Sequence, residues 1–245
     1  MSGTTNGRAW VAVVAPHPDD ECLTGLLALR LQRECGLGVK VVTATLGSKA
    51  ERREARAEEL AAACGVLGWS VDLQAARAEG ERAKVEGIAR GIAGAALVMV
   101  PHAADGHATH RATHRWAVAA MDASGGRWRV AETEYWHPMA RPNLMVGAHG
   151  REVEELRRAL ERHRGEVARN DYASRLGAWM SDNVRRGAEL VGGEGAAAPE
   201  LEFATLYRAR WREGGLWTGG AEKWVLAGPS PYTWRIFSRR CSPWR

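Results

Sequence analysis

The sequence predicts an α/β domain built on a mostly parallel β-sheet, and three observations carry that expectation. Short β-branched apolar runs alternate with longer amphipathic stretches across residues 10–137, the rhythm of βαβ units. The apolar runs are nearly continuous rather than alternating, as in strands covered on both faces. The polar residues best suited to chemistry stand just after two of those runs, where open parallel sheets place their ligand sites.

Taken in order, Trp10–Ala15 (WVAVVA) reads as a buried strand. Leu23–Cys35 has helical periodicity and stops at Gly36 and Gly38. Val39–Leu46 is a second strand, and Lys49–Gly68 is a helix, charged in front and alanine-rich behind. A short strand follows at Val71–Leu73, then a helix over Glu79–Gly94. Ala96–Val100 (ALVMV) is a strand closed by Pro101, Thr109–Met121 a helix and Val130–Trp136 a strand. Beyond residue 137 the alternation ends. Glu152–Glu166 and Tyr172–Gly187 are expected to be helices, and Gly192–Pro199 (GGEGAAAP) a loop. The last stretch, Phe203–Arg245, carries five of the eleven tryptophans. The expectation is a single domain over residues 1–245, with its core at about 10–137 and a helical, Trp-rich elaboration at about 150–245.

A hydrophobic fraction of 45% over 245 residues excludes a disordered chain. No apolar run approaches the roughly 18–20 residues of a membrane span. The N-terminus has no signal-peptide layout, so a cytoplasmic location is expected. Cys22, Cys35, Cys64 and Cys241 lack Cys-x-x-Cys spacing and read as reduced thiols. The net charge of +5 is uneven: residues 208–245 hold eight Lys and Arg against two acids, leaving the rest near −1. That segment suits a solvated arginine-rich surface or an anionic substrate, and no nucleic-acid motif accompanies it.

Two clusters carry the chemistry. Pro16-His17-Pro18-Asp19-Asp20-Glu21 follows the first strand, and its prolines stiffen the turn. His102, Asp105, His107, His110 and His114 follow the ALVMVP strand and run into a helix, where spacings of three and four put side chains on one face. Separately, Asp19 or Asp20 could be a helix cap and the histidines a solvated face. Together, at one sheet edge, they supply a mixed nitrogen and oxygen ligand set for a metal.

At these residues the chain resembles the LmbE/PIG-L family of zinc-dependent N-acetylglucosaminyl deacetylases: PHPDDE after the first strand and a later D-x-H-x-x-H-R-A segment at Asp105–Ala112. The resemblance implies a Rossmann-like three-layer sandwich and a Zn2+ cofactor held by His17, Asp20 and His110. It implies Asp19 as general base, His107 as the group that assists the tetrahedral intermediate, and Arg56, in the Arg-Ala-Glu-Glu run, as a substrate contact. The substrate class it implies is a small N-acetylated sugar or glycoconjugate. The chain departs from the pattern in three places. Pro16 opens the first motif, the Gly-rich run after it shrinks to Cys22–Gly25, and Thr109 stands where an Asp is common. The last change removes a carboxylate that could orient His110 and makes His114 an alternative ligand. Other divalent ions also suit this donor set. The rivals are an amidase for a larger conjugate and a non-catalytic binding protein of the same fold. A nucleotide-binding module is disfavoured because PHPDDECLTG contains no G-x-G-x-x-G.

Overall fold

The computed structural model describes residues 9–135 and 137–229. Six strands and the helices between them form the first two-thirds of the fold. These are β1 (Trp10–Ala15), α1 (Asp20–Thr24), α2 (Leu26–Cys35), β2 (Gly38–Thr43), α3 (Arg53–Leu67), β3 (Ser70–Asp72), α4 (Gln74–Arg77), α5 (Gly80–Ile92), β4 (Leu97–Pro101), α6 (Ala108–Ser124), β5 (Arg127–Thr133) and β6 (Leu144–Ala148). The chain continues through α7 (Gly150–Leu160), α8 (Arg164–Arg169), α9 (Tyr172–Gly187), a π-helical turn at Ala188–Gly192, β7 (Phe203–Glu213), β8 (Leu216–Thr218) and β9 (Trp224–Leu226).

All nine described strands join one mixed sheet in the order β3-β2-β1-β4-β5-β7-β6-β9, with β8 paired to β7. The first five in this order run parallel to one another and β6 runs parallel to β9, while β7 runs antiparallel to β5, β6 and β8. Alternate residues of β1 enter different cores, as the two-residue period of a strand requires. Val11, Val13 and Ala15 pack with the leucines of α2, α3 and α7. Ala12 and Val14 pack with Ile88 and Ile92 of α5 and Ala117 and Met121 of α6. Helices therefore cover both faces, giving the three-layer α/β arrangement expected from the alternating pattern. From β1 the chain winds outward through β2 to β3, then crosses back to β4 on the other side of β1. Such a reversal opens a crevice beyond the carboxyl ends of the two central strands. Both chemical clusters lie there.

Three elements differ from the sequence expectation. The helix expected over Leu23–Cys35 begins at Asp20 and breaks at Gly25. A Cβ at Gly25 would meet the Glu21 carbonyl at 2.3 Å and the Trp69 ring at 2.7 Å, so the close approach admits only glycine. The helix expected over Glu152–Glu166 is two helices, α7 and α8, with His163 buried between them. The largest difference lies beyond residue 137: that region supplies β6, β7, β8 and β9 to the sheet rather than a helical appendage.

Strand β7 is tied to the first helices by one side chain. The fully buried Tyr207 hydroxyl donates to the Thr24 carbonyl at 2.8 Å and accepts from the Leu27 amide at 3.1 Å and the Thr205 hydroxyl at 2.8 Å. The break at Gly25 frees a carbonyl and an amide that a continuous helix would have paired, and Tyr207 satisfies both. Trp211 and Trp217, on β7 and β8, lie under arginines: Arg127 over Trp211 at 3.9 Å and Arg210 over Trp217 at 3.7 Å. Arg210 and Arg212 also pair with Glu132 and Asp122, which balances the charge of these two side chains inside the fold. Trp234, Trp244 and the arginines at 235, 239, 240 and 245 lie outside the described residues.

Candidate metal and catalytic site

The first cluster is set by the turn leaving β1. Asp19 has φ 113°, ψ −31°, and is the one non-glycine residue with positive φ among the described residues. That region costs an L-residue of this kind on the order of 1–3 kcal/mol, and such strain gathers at working sites. Glu21 holds the conformation: its Oε2 accepts the Asp19 amide at 2.9 Å. Its Oε1 accepts from the His163 Nε2 at 2.7 Å and from the Cys22 thiol at 3.1 Å. Glu21, Cys22 and His163 bring metal-type donors together, but all three are sealed from solvent and bonded to one another. Burial, and then Glu21, push the Cys22 thiol well above its ordinary range, which keeps it protonated. This cluster is a strut for the turn. Asp19 makes no side-chain cap bond to α1, so the cap alternative does not hold for it.

The second cluster is set by the turn leaving β4. His107 precedes α6 and caps it, its Nδ1 accepting the Thr109 amide at 3.2 Å. In its neutral form the proton therefore sits on Nε2. His107 is exposed at the rim, and His110, one turn into α6, is buried. The sequence placed His107, His110 and His114 on one helical face. The structure separates them: His107 is outside the helix, and His114 turns away to Glu132, 3.2 Å from its Oε1, stacked on Trp217. His114 is not among the residues gathered at the crevice, because Glu132 of β5, itself paired with Arg210 of β7, holds it.

His17, His107 and His110 form a triangle, with ring centroids 5.1 Å, 4.8 Å and 5.4 Å apart and ligand nitrogens within 4.8 Å of one another. Asp20 joins them. Its Oδ2 accepts the His17 amide at 2.9 Å, and lies 3.3 Å from His17 Nδ1 and 3.5 Å from His110 Nε2. A tetrahedral ion with bonds of about 2.0–2.2 Å spaces its donors about 3.3–3.6 Å apart. The two separations from Asp20 Oδ2 to the imidazole nitrogens, 3.3 Å and 3.5 Å, fall in that range.

Charge in the site follows burial. Asp19 is lifted well above the usual carboxylate range, by burial first and then by Asp20 and Glu21, with Arg56 opposing. Asp20 is nevertheless lowered, because His110 and His17 outweigh the cost of its burial. For His107, burial and the neighbouring His110 and His17 favour the neutral ring. For His110, burial opposes the charge but Asp20 and Asp105 prevail and raise it.

Arg56 of α3 reaches the same turn. Its Nη2 donates to the Pro18 carbonyl at 2.8 Å and lies 3.8 Å from Asp19 Oδ1, while Nη1 lies 3.6 Å from Glu166 Oε1. Gly47, at φ 90°, makes room for it: a Cβ there would stand 2.4 Å from Nη1. The structure thus brings His17, Asp19, Asp20, Arg56, His107 and His110 together. Three residues that the motifs alone do not single out also meet here. Tyr135 packs its ring 4.5 Å from His110. His137 lies against Gly106, where a Cβ would come within 2.8 Å of its Nδ1. Glu166 faces Arg56. Only the tertiary fold reveals them, since they come from the loop after β5 and from α8.

Residues 12–121 match the family model described as PIG-L, GlcNAc-PI de-N-acetylase. No curated protein sequence matches the chain. Among solved structures, the A40926 pseudoaglycone deacetylase is similar at a TM-score of 0.64 and 18% identity, over 85% of this chain and 99% of its own. The N,N'-diacetylchitobiose deacetylase of Pyrococcus horikoshii is similar at 0.58 and 15%, over 81% and 82%. The 4-carboxy-2-hydroxymuconate hydratase of Pseudomonas putida is similar at 0.62 and 18%, over 82% and 95%. At these identities the likeness concerns the fold, which serves both deacetylases and a hydratase.

Proposed function

We propose that the chain, whose residues 12–121 match the PIG-L family model, is a divalent-metal-dependent N-deacetylase acting on an N-acetylated amino sugar or glycoconjugate. One observation carries the reading: Asp20 Oδ2 stands 3.3 Å from an imidazole nitrogen of His17, in the turn after β1, and 3.5 Å from one of His110, on α6. His17, Asp20 and His110 would hold the ion, with zinc the best match to a donor set of two imidazoles and one carboxylate. Bound there, the ion would supply Lewis acidity toward the amide carbonyl and acidify water.

The chain's own residues do the rest. Asp19 accepts the proton of the attacking water as the oxygen–carbon bond forms, and burial, which raises its carboxyl pKa, suits a group that takes and returns a proton. His107 presents a neutral Nε2–H, fixed by its bond from the Thr109 amide, and this donates to the amide oxygen as that oxygen gains charge. A preplaced donor of this kind is worth on the order of 3–4 kcal/mol. When the carbon–nitrogen bond breaks, the proton on Asp19 passes to the departing amine, leaving acetate and a free amino group. Arg56 keeps the Asp19 turn in place through the Pro18 carbonyl and faces the substrate side with its remaining charge.

No described helix is long and apolar enough to cross a membrane; a cytoplasmic setting is part of the same proposal. The test is acetate release by zinc-loaded protein over a panel of N-acetylated amino sugars, glycoconjugates and simple amides. The expected result is chelator-sensitive release from at least one N-acetyl sugar. Release only from bulky non-sugar amides would move the assignment to the amidase reading, and hydration of an unsaturated acid without amide cleavage would overturn it.

A further inference from the structure

The family pattern places a carboxylate beside the second-motif histidines at the position that is Thr109 here. The fold supplies another one. Asp105 is buried, and its Oδ2 lies 3.2 Å from His110 Nδ1, on the edge of the ring opposite Nε2, which points at Asp20; the two atoms stand at ion-pair distance without an aligned hydrogen bond, and neither has any other hydrogen-bond partner. The His110 ring therefore spans two carboxylates, one on each nitrogen.

Asp105 itself is firmly placed. Its Oδ1 accepts the His107 amide at 2.7 Å, and its own amide donates to the His102 carbonyl at 3.3 Å. Arg111 donates to the Asp105 and Gly106 carbonyls at 2.7 Å and 2.8 Å, so the loop is braced against α6. His102 Nε2 stands 3.8 Å from the same Oδ2. The Thr109 amide is taken by His107. Among the described residues, Asp105 is the carboxylate that reaches Nδ1 of His110.

We propose that Asp105 is the positioning residue for His110: it accepts the Nδ1 proton, fixes the tautomer that leaves the Nε2 lone pair toward Asp20 and His17, and takes over the orienting role that Thr109 cannot fill. This rests on the reading that His110 ligates a divalent ion. A carboxylate behind a ligand imidazole locks the ring and raises its basicity, and removing one ordinarily costs metal sites about 10–100-fold in affinity.

Asp105→Asn separates this role from simple packing. The amide oxygen can still accept the His107 N–H, so the turn is retained. The NH2 group now faces His110 Nδ1 as a donor, which drives the proton to Nε2, the atom meant to bind the ion. Two measurements test it. In metal-free wild-type protein, at alkaline pH where the ring is neutral, nitrogen NMR of His110 should show protonated Nδ1; in the variant it should show protonated Nε2. In competition with a chelator, wild type should bind one zinc, and Asp105→Asn should bind it roughly 10–100-fold more weakly with an unchanged thermal midpoint. Protonated Nε2 in the neutral wild-type ring overturns the proposal whatever the variant does. Equal zinc affinity in both proteins overturns the proposal alone, whereas a wild type that binds no zinc removes the metal reading and the proposal with it.

Discussion

Asp19→Asn is expected to lower kcat on the order of a hundred- to ten-thousand-fold, the range over which a positioned general base contributes, while zinc content stays at the wild-type level. The substitution is chosen for its backbone. Asp19 sits at φ 113°, and asparagine is among the few residues that enter positive φ readily. The amide is close in shape to the carboxylate, so the turn that carries His17 and Asp20 is retained. What changes is the ability to accept a proton. The Asp19 side chain lies 3.8 Å from Arg56 and makes no cap bond to α1, so little structure depends on its charge. A loss of turnover with full zinc and an unchanged KM assigns the proton transfer to Asp19. Activity within a few-fold of wild type would remove it from that role.

Arg186→Ala is expected to cost about 3–5 kcal/mol of folding stability, the ordinary penalty for leaving one member of a buried ion pair behind. The Glu134 carboxylate is fully enclosed, and Arg186 of α9 meets it through two bonds at 2.6 Å and 3.2 Å. Glu134 Oε2 also accepts the Met139 amide at 2.7 Å. The pair thus closes the loop that follows β5, and that loop sets Tyr135 against His110. Exposure of the Arg186 side chain is only 15%, so water cannot take its place cheaply. Urea unfolding of Arg186→Ala should show the loss, and Glu134→Gln combined with Arg186→Met should recover part of it by removing both charges. A single-variant loss below about 1 kcal/mol would place the pair among solvent-screened ones.

The parallel half of the fold was legible because its strands are apolar runs closed by glycine or proline. The WVAVVA and ALVMVP segments could hardly be anything else, and the turns after them carried the chemistry. Strand β7 was not legible. FATLYRARWRE puts arginine at every second position from 208 to 212 and reads as a charged tail. Arg210 and Arg212 are tolerated because Glu132, Asp122 and the Trp217 ring lie opposite them, partners that a linear sequence does not display. The break at Gly25 was hidden for a similar reason: only Trp69, distant in sequence, explains why glycine is required. At the site, residue types and spacing located the donors, but they put His107 on the helix and left His114 as an alternative. Those two were decided by a cap bond and by a buried glutamate on β5, both products of tertiary packing.

The central claim is that His17, Asp20 and His110 share one ion. Anomalous diffraction at the zinc edge, from crystals of the zinc-loaded protein, tests it most directly. A single strong peak is predicted within about 2.0–2.2 Å of His17 Nδ1, Asp20 Oδ2 and His110 Nε2. A peak at the Glu21, Cys22 and His163 cluster instead, or no peak between the β1 and β4 turns, would contradict it.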